Sequence, residues 1–126
     1  AEENPIFGTC AGMILMATHV EDDKVRTFNL IDMVVDRNAY GRQVDSFVDE
    51  LDVQTNGESF TMRCVFIRAP RVSELGEGVD VLASINGEPV LVRQGHHLAA
   101  AFHPELTNET RIHSYFSTLK REMSIA

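Results

Sequence analysis

The chain has 126 residues, 44% of them hydrophobic and 24% charged, which is enough for one domain with a modest core and too little for two. Its formal net charge of −8 and the lack of any basic run argue against nucleic acid, leaving solubility or a partner with a basic docking surface as the use of that charge. No apolar stretch approaches the roughly 20 residues that span a bilayer, and no signal-peptide pattern opens the sequence.

In chain order, Ile6 and Phe7 suit a buried strand that runs into the turn Gly8-Thr9-Cys10-Ala11-Gly12. A helix is predicted from about Ala11 to His19, dissolving in Glu21-Asp22-Asp23. Leu30 to Val35 reads as a strand, Asn38 to Gly41 as a turn or loop, and Gln43 to Val53 as a more polar strand. Asn56-Gly57 marks a tight turn before a strand from about Met62 to Arg68. Val79 to Ile85, Asn86-Gly87 and Val90 to Arg93 form the clearest hairpin, because Asn-Gly between two β-rich runs supplies the positive φ that a two-residue turn requires. Leu98 to Phe102 is the last predicted strand. A terminal helix follows, capped by Thr107 or Asn108, with Ile112, Tyr115, Phe116, Leu119 and Met123 on its core face. Antiparallel strands between an elbow helix and a terminal helix predict an α/β fold with a mixed sheet.

Small residues around Cys10 are what a sharp strand-to-helix turn needs, since a Cβ there would clash. The turn is the cysteine counterpart of the nucleophile elbow, presenting the side chain where helix N–H groups stabilise a thiolate. A cysteine is also among the commonest core residues, so a purely structural Cys10 stands beside the nucleophile. Cys64, within Met62-Arg63-Cys64-Val65-Phe66-Ile67, reads as a small core hydrophobe. Two cysteines without close spacing form no disulfide framework, and reduced thiols in the cytoplasm are the simplest account.

A thiolate nucleophile needs a base, and the base needs an orienting group. His103-Pro104-Glu105 supplies both at the mouth of the last predicted strand, with Pro104 fixing the backbone between them. His96, His97, His103 and Glu105 also admit a metal-site reading, but no second ligand cluster with zinc-like spacing exists, and no metal is expected. His96 and His97 are placed in a solvated turn before the last strand. His19 and His113, on predicted helices, are given structural roles.

Phe7 to Gly12 and Phe102-His103-Pro104-Glu105-Leu106, in that order, resemble the class I (triad) glutamine amidotransferases. Within them, Arg37-Asn38-Ala39-Tyr40-Gly41-Arg42-Gln43-Val44-Asp45-Ser46-Phe47, Phe66-Ile67-Arg68-Ala69-Pro70 and Arg93-Gln94-Gly95 resemble the glutaminase subunits of pyridoxal phosphate synthase. The resemblance runs from Pro5 to about the end of the chain. It implies a three-layer, flavodoxin-like fold with a mixed sheet, and Cys10, His103 and Glu105 as a catalytic triad. It further implies Ala11 N–H as an oxyanion donor, Arg37, Ile67 and Arg68 around the substrate L-glutamine, and no cofactor. The ammonia released would pass to a (β/α)₈-barrel synthase subunit. The resemblance also implies an upstream segment with a Pro-Gly-Gly-Glu-Ser stretch, which these 126 residues lack, so residues 1–126 read as the C-terminal portion of one amidotransferase domain. Two alternatives stand beside the glutaminase: a non-catalytic partner that docks on the synthase and regulates it, and a cysteine hydrolase of the same superfamily.

Overall fold

The computed structural model describes residues 5–9, 11–20, 27–36, 46–55, 58–67, 71–85, 87–104 and 111–125. The elements are β1 (Phe7–Thr9), α1 (Ala11–Met16), β2 (Ala17–Val20), β3 (Ile31–Asp36), β4 (Ser46–Thr55), β5 (Glu58–Ile67), β6 (Arg71–Leu75), β7 (Asp80–Ile85), β8 (Glu88–Gln94), β9 (His97–Ala100) and α2 (Arg111–Ile125). They form three ladders, in the orders β1-β9-β8-β7, β2-β3-β6 and β4-β5. β1 is parallel to β9 and β2 to β3, while the remaining pairs are antiparallel. This is the expected α/β architecture, flavodoxin-like with mixed strand directions.

The burial patterns explain these roles. Val90, Leu91 and Val92 of β8 and Leu98, Ala99 and Ala100 of β9 are all buried, as strands covered on both faces must be. β5 alternates instead, with Met62, Cys64 and Phe66 buried and Thr61 and Arg63 exposed, so one face of the β4-β5 ladder meets water. One hydrophobic core joins α1, the inner strands and the Ile112, Tyr115 and Leu119 face of α2, with Phe116 packed at its margin.

Several sequence expectations are met. β3 lies one residue from its predicted span, and β4 and β5 run antiparallel in continuous register from Ser46↔Ile67 to Thr55↔Glu58. The β7-β8 hairpin closes at Ile85↔Glu88, with Gly87 at φ +82°, the left-handed region that its turn demands. Asn38 to Gly41, Asn56-Gly57, Asn86 and the capping residues Thr107 and Asn108 lie outside the described residues, as does the Met123 side chain.

Two elements differ from expectation. The elbow helix stops at Met16 rather than His19, and Ala17–Val20 forms β2. The amide of Phe28 donates to the Leu15 carbonyl at 2.6 Å and that of Leu30 to the Met16 carbonyl at 2.8 Å, so another segment takes the last helical acceptors. Thr18 Oγ1 donates to the Ile31 carbonyl at 3.1 Å, and Ala17 and Val20 register with Ile31 and Val35. Strand pairing with β3 thus outweighs a helical preference that β-branched Thr18 and Val20 already weaken. The strand β6 was not anticipated. It pairs with β3, but Val72 is its one fully buried apolar side chain, too little periodicity to mark a strand.

Candidate functional site

Parallel pairing of β1 with β9 sets the geometry of the site. Phe7, Gly8 and Thr9 register with Leu98, Ala99 and Ala100, so both strands reach their carboxyl ends side by side. α1 opens at Ala11, directly after the strand-ending Thr9 and the intervening Cys10. The segment leaving β9 carries His103 three residues beyond Ala100. Gly8 is essential to the tightness of this turn. A Cβ there would stand 2.5 Å from Met16 Sδ and 2.7 Å from the Gly12 carbonyl carbon, so β1 and α1 touch backbone to side chain and backbone to backbone. The same does not hold for Gly12, where an added Cβ meets nothing within 4 Å. The clash expected on both sides of the cysteine is confined to the strand side.

β5 meets the same end of the sheet. The His103 amide donates to the Val65 carbonyl at 2.8 Å, two residues before β5 ends at Ile67. Phe102 and Phe66 are both fully buried, with ring centroids 5.7 Å apart and planes at 66°, a favourable edge-to-face arrangement. His103 is partly exposed and Pro104 buried. Of the residues singled out in the sequence, the structure places His103 beyond β9 against the Val65 carbonyl, Ile67 at the end of β5, and Ala11 at the start of α1. Cys10, Arg37, Arg68 and Glu105 lie outside the described residues.

Sequence reasoning left His97 in a solvated turn, and the structure corrects this. Gly95 and His96 form the turn, whereas His97 is the first residue of β9 and half-buried. Its Nδ1 accepts the Ile6 N–H at 3.2 Å, and the Leu98 N–H donates to the Ile6 carbonyl at 2.9 Å. Burial lowers the His97 pKa below 6.5, and the neighbouring His96 charge lowers it further. The ring is therefore neutral at physiological pH, as an accepting Nδ1 requires. His113, on α2, tilts against Phe7 with ring centroids 5.7 Å apart, a packing role. His19 lies on β2 rather than on a helix.

Cys64 is fully buried, its Sγ 3.7 Å from the Met62 carbonyl, in keeping with a core thiol. Among the described residues no three His, Cys, Asp or Glu side chains converge as metal ligands, and no described helix is long and apolar enough to cross a membrane. The Val65 carbonyl and the Phe66–Phe102 pair went unnoticed in the sequence. Phe66 lies on the buried face of β5, but nothing local in the sequence names its partner.

The sequence matches the family model of the SNO glutamine amidotransferase family over residues 1–121. A pyridoxal 5'-phosphate synthase subunit PdxT from Pseudothermotoga lettingae is 53% identical over 116 residues, covering 91% of this chain and 58% of the relative. The corresponding subunit from Thermosipho africanus is 50% identical over 118 residues, covering 94% of this chain and 62% of the relative. A solved structure described as a glutamine amidotransferase superposes with a TM-score of 0.85 at 46% identity, covering 92% of this chain and 60% of the other. The chain thus spans about three-fifths of the length of these relatives. A strand followed at once by a helix, a histidine leaving the adjacent parallel strand, and a family match over nearly every residue agree: the chain belongs to the SNO glutamine amidotransferase family.

Proposed function

We propose that this protein is a glutaminase that hydrolyses L-glutamine and supplies the ammonia for pyridoxal phosphate synthesis. The observation that carries the reading is the parallel β1-β9 pair, because it sends the residue after β1 and the segment after β9 to one end of the sheet. Cys10 follows the first strand and His103 the second.

In this reading the Cys10 thiolate attacks the side-chain amide carbon of glutamine, forming a C–S bond and placing negative charge on the former carbonyl oxygen. The Ala11 N–H donates to that oxygen. The intermediate collapses with cleavage of the C–N bond, and His103 gives a proton to the departing ammonia. Water then attacks the γ-glutamyl thioester while His103 takes its proton, releasing glutamate and restoring Cys10. Glu105 holds the His103 tautomer. Arg37, Ile67 and Arg68 hold the substrate, the cationic side chains suiting its α-carboxylate. No cofactor takes part, and a reduced thiol suits a cytoplasmic setting. The relatives are named as synthase subunits, which supports delivery of ammonia to a (β/α)₈-barrel synthase partner.

A diazoketone analogue of glutamine tests the nucleophile directly. Peptide mapping should find one adduct per chain, on Cys10, and an excess of glutamine should suppress it. Labelling that glutamine does not slow, or that falls on Cys64, would contradict the assignment.

A further inference from the structure

The β4-β5 ladder is separate from the sheet that bears β9, yet two consecutive residues of β5 engage two consecutive residues beyond β9. Val65 accepts the His103 N–H at 2.8 Å, and Phe66 packs edge-to-face on Phe102 at 5.7 Å, both rings fully buried. A single hydrogen bond fixes the distance between two segments but leaves rotation about it free. A pair of locked rings beside it removes that rotation, since aromatic side chains packed at crystal-like density have one arrangement.

From this geometry we propose that Phe66 is a positioning residue for His103. It acts through Phe102, and so sets the base relative to the end of β5. The inference rests on the glutaminase reading, in which Ile67, the last residue of β5, and Arg68 next in sequence hold the substrate. One strand then carries the substrate contacts and aims the base at them. Motion of β5 shifts both together, and the ring pair is one of the contacts that keep the aim of His103.

The test uses the protein with its synthase partner and compares Phe66→Leu, Phe102→Leu, their combination, and Val53→Ala. Val53 is fully buried on β4 of the same ladder, so its truncation reports loss of packing alone. Two readouts are taken: glutamate release as a function of glutamine, and hydrogen exchange at the His103 amide. Each phenylalanine variant should lower kcat about tenfold and leave KM within about twofold. The double variant should be no worse than the worse single, the non-additivity expected of one coupled unit. Exchange at His103 should rise about tenfold in Phe66→Leu and stay unchanged in Val53→Ala. Phe66→Met, which fills the space without a ring, replaces Phe66→Leu if the latter fails to fold. Additive kinetic losses, or His103 exchange no faster than in Val53→Ala, would overturn the proposal. A parent protein that releases no glutamate would defeat the glutaminase reading alone, and the exchange measurement would still decide the positioning role.

Discussion

His97 joins the start of β9 to the residue that leads into β1, and it can do so only while Nδ1 keeps its lone pair. Its folded-state pKa lies below the unfolded value of 6.5, so the unfolded chain binds more protons in that region and stability rises with pH. The stabilisation is complete above pH 6.5 and is lost as the pH falls through the folded pKa. His97→Asn retains an acceptor oxygen near the Nδ1 position without its titration. Thermal unfolding between pH 7.5 and 5 should therefore show a steeper decline for the parent protein than for His97→Asn. Parallel curves would remove His97 as the source of the pH dependence. Nothing in the dipeptide His96-His97 separated these two residues beforehand. The first lies in the turn and the second opens β9, and its partner Ile6 is 91 residues away in sequence, so only the fold brings the two together.

At the scale of elements, the strand-turn-helix unit was legible because its signal is local: apolar residues, a glycine-flanked cysteine, apolar residues again. The β7-β8 hairpin and the α2 core face were legible for the same reason, through Asn86-Gly87 and through Ile112, Tyr115 and Leu119 at helical spacing. β2 and β6 were not, since each exists by pairing with β3, and a short strand's pairing partner is not written in its own residues. The two glycines of the elbow separate close approach from simple smallness. Gly8→Ala forces a Cβ into Gly12 and Met16 and should cost about 1–3 kcal/mol, typical of overpacking a tight site. Gly12→Ala meets open space inside α1 and should be neutral or stabilising by up to about 1 kcal/mol, the helix preference of alanine over glycine. Urea unfolding of the two variants checks this, and equal midpoints would show that β1 and α1 do not depend on their close contact.

Across the whole molecule, three ladders share one core, and two of them contribute to the end of the sheet where the β1 turn and the segment after β9 emerge. The residues of the proposed chemistry stand in the sequence as types: a cysteine between a strand and a helix, a histidine two residues before a glutamate, and blocks that resemble a known glutaminase family. The contacts that hold the histidine segment against β5 were not legible, because the His103–Val65 hydrogen bond and the Phe66–Phe102 contact join positions 38 and 36 residues apart in sequence. The measurement that bears most directly on the glutaminase reading is glutamate release from glutamine, with and without the barrel synthase, for the parent protein and for Cys10→Ala. The account predicts release that the synthase increases and that Cys10→Ala abolishes. Release that survives in Cys10→Ala would contradict it.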